Sequence, residues 1–215
     1  MDELTAVDVL LLPDATARAR AEELNALLRE DLGQGFAFDE THLPHITLLQ
    51  LYAAADDLDG LNQAVDAVVQ ETDVGAVRLG ATGLSGAGLG TPPGVVVAAV
   101  DFEPAEEVVR LHEALLSAAG ALAANGGSAG AFFTLPGEPP VSADTVAYVE
   151  RFISEHGGER YAPHMSVGLA RESLVERLRG DARLRFESRP AALAVCRLGD
   201  YGAARQVLRR WPVRA

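Results

Sequence analysis

Pro44-His45-Ile46-Thr47-Leu48 and Pro163-His164-Met165-Ser166-Val167 are two copies of one pattern, Pro-His-x-Thr/Ser-apolar, set 119 residues apart. The chain has only five histidines, so two of them in matching contexts carry most of what the sequence says. Apolar residues of strand character follow each copy: Leu48, Leu49 and Leu51 after the first, Val167 and Leu169 after the second. Residues i and i+2 of a strand share a face. This predicts His45 and Thr47 projecting together with Ile46 and Leu48 behind them, and His164 projecting with Ser166.

Outward from the first copy, Val7 to Leu12 reads as a short buried strand stopped by Pro13. Asp14 offers an N-cap, and Ala17, Ala21, Leu24, Leu27 and Leu28 keep helical spacing to Gly33. After the motif strand, His45 to Tyr52, a second helix is predicted over 55–72. Two strands follow, Val77 to Leu84 and Gly94 to Phe102, on either side of a Gly/Pro-rich turn. Pro104 suits the first turn of a third helix, whose buried stripe is Val108, Leu111, Leu115 and Leu122. The Gly/Pro/Ala-rich stretch 125–140 is long for a loop inside a compact protein and reads as a mobile flap near the site.

Ser142 caps a fourth helix with Val146, Val149, Phe152 and Ile153 turned inward, closed by Gly157-Gly158. The second motif strand, His164 to Ala170, leads to a short helix from Glu172 to Leu178. Two strands, Ala191 to Leu198 and Ala203 to Trp211, end the chain around a hairpin turn at Gly199–Gly202. The order approximates two related halves, each with a motif strand, a helix and two more strands. Residues 1–215 are therefore read as a single domain of two lobes. The predicted class is α+β and bilobal with a pseudo-twofold axis: two antiparallel sheets face each other across a central cleft, with helices outside.

Composition narrows the partners. Thirty-one acidic against 18 basic residues give a formal net charge of −13. A long nucleic-acid track would need a basic face to displace counterions from phosphates, so none is expected. The arginines thicken toward the C-terminus (Arg197, Arg205, Arg209, Arg210, Arg214), which leaves room for a phosphate-binding spot. The single cysteine, Cys196, sits in an apolar run and reads as core. The acidic opening Met1-Asp2-Glu3 is unlike a signal segment, and no apolar run approaches a membrane span. A cytoplasmic monomer with no membrane partner is expected.

The paired motifs resemble those of the two-histidine (2H) phosphoesterase superfamily, which includes bacterial RNA 2′-5′ ligases, RNA cyclic phosphodiesterases and plant-type cyclic nucleotide phosphodiesterases. The resemblance rests on His45-Ile46-Thr47-Leu48 and His164-Met165-Ser166-Val167, and the element order is compatible over nearly the whole chain. Two departures stand out: Ser166 takes a place where Thr is commoner, and the motifs are spaced widely by the segment 125–158. The resemblance implies phosphodiesterase chemistry on 2′,3′-cyclic or 2′-5′-linked ribose phosphates, with no cofactor and no metal. The substrate is then a small nucleotide or an RNA terminus.

Opening a cyclic phosphate needs a base for water and an acid for the departing ribose oxygen, and histidine serves both roles near neutrality. Resemblance makes His164 the base and His45 the acid; the residues themselves leave that order open. Thr47 and Ser166 are expected to donate to nonbridging phosphate oxygens. Tyr161, three residues before His164, is a candidate to stack on a base. Arg197, Arg205 and Arg209 are candidates for a second phosphate contact. His42 reads as a loop residue, Gln50 as a polar strand residue, and His112 and His156 as structural. Two rivals remain: a metal site built on His42 and His45, and a catalytically silent module binding a nucleotide or protein in the same cleft.

Overall fold

A computed structural model describes residues 4–213. Met1-Asp2-Glu3, which bore on the signal-segment reading, and Arg214 lie outside the described residues. Within them the order is β1 (Leu4–Pro13), α1 (Ala15–Leu32), β2 (Ile46–Ala54), α2 (Leu58–Glu71), β3 (Leu79–Ala87) and β4 (Val95–Phe102). The second half has α3 (Glu106–Ala119), α4 (Ala143–His156), β5 (His164–Arg171), α5 (Glu172–Leu178), the short β6 (Glu187–Ser188), β7 (Pro190–Leu198) and β8 (Ala204–Pro212).

The strands form two four-stranded antiparallel sheets, ordered β2-β1-β7-β8 and β5-β4-β3-β6. The expected α+β class and its two sheets are both present. The expected halves are interleaved, however. The strands that follow the first motif, β3 and β4, join the sheet of the second motif strand, with β4 paired to it, while β7 and β8 join the sheet of the first. Each motif strand lies at the edge of its sheet: β2 beside β1 of its own half, β5 beside β4 of the other half. The helices cross over too. α1 packs on β5, and α3, paired with α2, packs on β2.

Local signals explain the ends. The Asp14 carboxylate accepts from the Ala17 amide at 2.9 Å, and Gly33, left-handed at φ 76°, closes α1 by donating to Arg29 O. Val108, Leu111 and Leu115 are fully buried as the spacing predicts, while Leu122 falls in a 3₁₀ turn beyond the end of α3. The main core joins Val7, Val9, Leu48 and Leu49 of the first sheet to Val100, Met165 and Val167 of the second. No helix among the described residues is long and apolar enough to cross a membrane.

The segment 125–140 is not a flap over the site. Ala131 and Phe132 are buried against Tyr52, Ala6 and Leu198, at the far end of the first sheet's inner face. Tyr52 meets Phe132 edge-on at 5.9 Å, and Gly127 lies so flat on the Tyr52 ring that a Cβ there would sit 2.2 Å from Cζ. Phe133 donates its amide to Leu198 O. No residue of this segment lines the cleft between the sheets.

Candidate active site

The cleft holds about 470 Å³. The first sheet contributes His45, Thr47 and Gln50, and the second contributes His164, Ser166, Asp101, Ser85 and Ala99. Tyr148, Phe152 and His156 of α4 form a side wall. The rim is Gly88-Leu89 of the β3–β4 connection and Tyr201-Gly202 of the β7–β8 connection. The four motif side chains expected to converge therefore do so.

Each motif is built the same way. Proline disfavours helical backbone in the residue before it and fixes its own φ. The carbonyl two residues upstream then meets the histidine ring: His45 Nδ1 bonds Leu43 O at 2.8 Å, and His164 Nδ1 bonds Ala162 O at 3.0 Å. A carbonyl only accepts, so Nδ1 carries the hydrogen in both rings and Nε2 is left for chemistry.

A β-bulge follows each hydroxyl residue. Leu10 faces Thr47 and Val9 faces Leu49, which leaves Leu48 extra; Ala99 faces Ser166 and Ala98 faces Gly168, which leaves Val167 extra. Strict alternation would put Leu49 on the face of Thr47. The bulge puts Gln50 there instead, and Leu48 and Leu49 both enter the core.

Behind the first motif stands Asp8 of β1, fully buried. Its Oδ2 accepts from Thr47 Oγ1 at 2.7 Å and from Gln50 Nε2 at 3.0 Å, and lies 3.5 Å from His45 Nε2. Burial pulls the His45 pKa down, but the Asp8 carboxylate and the carbonyls of Leu43 and Gly202 outweigh it, and the net shift is upward. The same charge, adding to burial, helps push the Tyr148 phenol and the Cys196 thiol up to about 12 each. Cys196 is thus the inert core thiol its surroundings suggested.

His164 has no carboxylate within ion-pair distance among the described residues. Ser166 Oγ makes no hydrogen bond among them, and so is free to donate into the cleft. Thr47 is not: its one proton already goes to Asp8, contrary to the expectation that it points at phosphate. Asp101 faces His164 across β4 and β5, but its Oδ1 accepts from Ser85 Oγ at 2.7 Å.

The remaining candidates sit elsewhere. Tyr161 reaches the cleft wall, but its ring is stacked on His112 at 4.1 Å and 5°, and its hydroxyl donates to Thr47 O at 2.8 Å. It is a strut between the motifs rather than a free platform for a base. Arg197 is turned away from the cleft and donates to Ala131 O and Gly130 O. Arg205 is buried, pairs with Glu138 at 2.8 Å and lies 5.4 Å from the Phe133 ring centre. Both hold the segment 125–140 instead of lining the cleft. Arg209 pairs with Asp66 at 2.7 Å on the outer strand β8. Among the described residues no arginine lines the cleft. His42 stacks on Phe36 at 4.5 Å and faces Asp39, and no group of three or more potential metal ligands occurs among the described residues.

Sequence reasoning passed over Asp8, although a lone carboxylate in the apolar run Val7–Leu12 is an unusual thing to bury and was a signal in itself. His156 and Tyr148 on α4, and Asp101 with Ser85, carried no motif by which to find them.

A family model described as the 2′-5′ RNA ligase superfamily matches residues 12–199. The fold is similar to that of TT0787 from Thermus thermophilus, with TM-score 0.54 and 18% identity over 98% of this chain and 99% of that one. Also similar are E. coli LigT complexed with 3′-AMP (TM-score 0.47, 14% identity, 99% of both chains) and Kluyveromyces marxianus Usb1 (TM-score 0.46, 13% identity, 98% of both). Among curated proteins none matches.

Proposed function

We propose, for a chain that belongs to the 2′-5′ RNA ligase superfamily of phosphoesterases and ligases, a metal-independent phosphodiesterase that hydrolyses 2′,3′-cyclic or 2′-5′-linked ribose phosphates of nucleotides or RNA ends. The observation that carries this reading is the pair of imidazoles lining one cleft, each with Nδ1 tied to a carbonyl, of which only one is backed by a buried carboxylate.

That asymmetry divides the labour. His45, whose pKa the Asp8 carboxylate draws upward, is the general acid. His164, whose neutral tautomer presents a bare Nε2, is the general base. For a cyclic phosphate, His164 Nε2 takes a proton from water and the water oxygen forms a bond to phosphorus. The bond from phosphorus to one ribose oxygen breaks, and that oxygen takes the His45 proton. The product is a ribose phosphomonoester with one water added. The 3.5 Å separation of His45 Nε2 from Asp8 is an ion-pair distance, longer than a strong hydrogen bond, so the proton remains available to the cleft. Ser166 Oγ supplies a hydrogen bond to a nonbridging oxygen as charge builds there.

The cleft has the volume of a small-ligand site, within the usual range of about 300–1,000 Å³. With the Asp101 carboxylate in its lining, the Asp8 carboxylate buried behind His45 and no arginine among the described lining residues, it favours a singly charged phosphodiester over a group with further phosphates. A monomer acting on small nucleotides or RNA termini in the cytoplasm is the setting this reading proposes.

The test is hydrolysis of 2′,3′-cyclic nucleotides, in the presence of chelator, by wild type, His45→Ala and His164→Ala. Turnover by wild type and a loss of about 10²–10⁴-fold in each variant are expected. Full activity in either variant would sink the two-histidine mechanism. No turnover across cyclic and 2′-5′-linked substrates would favour the silent binding module.

A further inference from the structure

The two bulges have their carbonyls held in a reciprocal way. Leu48 O, at the bulge of the first motif, accepts from His112 Nδ1 at 2.6 Å, and His112 belongs to α3 of the second half. Val167 O, at the bulge of the second motif, accepts from Asn25 Nδ2 at 2.9 Å, and Asn25 belongs to α1 of the first half. Asn25 is 2% exposed and His112 is 0% exposed. Two polar side chains buried in otherwise apolar helix faces, each reaching the bulge of the other half's motif, form a repeated feature rather than a single accident.

Chemistry fixes the orientation of both groups. Asn25 Nδ2 faces two carbonyls, Val167 O and Phe36 O at 3.2 Å, so the amide nitrogen has to point there. His112 donates from Nδ1 to Leu48 O while its Nε2 accepts from the Gly158 amide at 2.9 Å, which defines a neutral ring in one tautomer. Burial, opposed by the Leu48 carbonyl, leaves the His112 pKa below its ordinary value, in keeping with a neutral ring. Gly168, at φ 132°, makes the approach of Asn25 possible, because a Cβ there would lie 2.9 Å from Nδ2.

We infer that His112 and Asn25 are paired positioning residues, each fixing the bulge that aims the other half's catalytic arm. On the first arm the path runs from the Leu48 carbonyl through Thr47, whose hydroxyl holds Asp8, to His45. On the second it runs from the Val167 carbonyl to the neighbouring Ser166, two residues from His164. The assignment of arms rests on His45 as acid and His164 as base.

The arms can be separated by the leaving group. A nitrophenyl phosphodiester departs without an acid, whereas a ribose oxygen needs one. His112→Phe keeps a ring on Tyr161 and removes both hydrogen bonds; His112→Gln can restore a donor and an acceptor. Asn25→Leu removes the donor at nearly constant volume. With a 2′,3′-cyclic nucleotide, His112→Phe and Asn25→Leu are each expected to lower kcat about 10–100-fold with KM within about twofold, as small misplacement of catalytic groups does. With the nitrophenyl diester the His112→Phe deficit should shrink at least fivefold while that of Asn25→Leu persists, and His112→Gln should recover most of the cyclic-nucleotide rate.

Equal losses on both substrates, or unchanged kcat, would overturn the inference, since a general loosening cannot tell leaving groups apart. If wild type turns over neither substrate, the reaction reading fails and the inference is decided by NMR. His112→Phe should then shift the ring-proton signal of His45 and Asn25→Leu that of His164. Unmoved signals would overturn it.

Discussion

β2 and β5 carry the same five-residue pattern, the same histidine-to-carbonyl bond and the same bulge, yet a fully buried carboxylate stands behind one and Ser166 on the other keeps a free hydroxyl. What repeats is set by the pattern itself: proline aims a carbonyl at Nδ1, alternation puts the hydroxyl residue on the face of the histidine, and a bulge follows it. What differs is set by the neighbouring strand. β1 places Asp8 under His45, whereas β4 places Asp101 opposite His164 but bound to Ser85. A twofold frame therefore supplies two imidazoles in one geometry, and a single buried charge makes them unequal.

The strongest way to break this comparison is to make the acid unnecessary. With a cyclic nucleotide, His45→Ala and His164→Ala are each expected to lose about 10²–10⁴-fold in kcat. With a nitrophenyl diester His45→Ala should recover most of that loss and His164→Ala none. Equal recovery by both variants, measured as the ratio of kcat on the two substrates, would mean that the histidines are interchangeable and that Asp8 does not order them.

Asp8→Asn sharpens the same point through pH. His45 is the acid, so the rate falls on the alkaline side as His45 loses its proton, and the acidic side belongs to the base. Asp8 raises the His45 pKa against its burial, so removing the charge should move the alkaline limb to lower pH and leave the acidic limb in place. Stability follows the same sign. A group with a raised folded-state pKa stabilises fully below about pH 6.5, its unfolded value, and loses that contribution as pH rises through the folded value. The fall in Tm over that window should flatten in Asp8→Asn. At neutral pH kcat should drop about 10–100-fold, as less of the acid is protonated and Thr47 loses its charged partner. An alkaline limb that stays put would remove Asp8 from the mechanism.

These outcomes bear on how much could be read from the sequence. Alternation placed His45 with Thr47 and His164 with Ser166, because two residues on either side of one position suffice for that inference. It failed beyond Leu48, where a bulge moved Gln50 instead of Leu49 onto the catalytic face, since an extra residue in a ladder leaves no mark in hydrophobicity. Element order gave two sheets, but not that β3 and β4 would join the sheet of β5: strand exchange between halves is decided by three-dimensional packing. The arginines were misplaced for a related reason. A cation close in sequence to a site can be claimed by backbone carbonyls that no pattern announces, as Gly130 and Ala131 claim Arg197.

The two hydroxyls offer a smaller test. Ser166→Ala removes a free donor to phosphate, and is expected to cost about tenfold or more in kcat with little change in Tm. Thr47→Val removes the 2.7 Å partner of a fully buried carboxylate, and should lower stability by about 1–3 kcal/mol, read by denaturant unfolding. Thr47→Ser should restore the bond. If Ser166→Ala proved the more destabilising of the two, the contrast between an anchored and a free hydroxyl would be wrong.

Arg197 marks the least expected effect. Its guanidinium bridges Gly130 O and Ala131 O at 3.1 and 3.0 Å, fastening the segment 125–140 to the first sheet at the end away from the cleft. Hydrogen bonds from a charged donor contribute about 1.5–3 kcal/mol when buried and less when exposed, and this pair is partly exposed. Arg197→Ala should therefore lower stability by about 1 kcal/mol and leave kcat and KM for a cyclic nucleotide within about twofold. A nucleotide bearing an added 5′-phosphate makes the measurement decisive. If Arg197 met a second phosphate, its loss would raise KM for that substrate alone. If it serves only the 125–140 segment, the added phosphate should be disfavoured equally by wild type and variant, because the carboxylates of Asp8 and Asp101 remain in both.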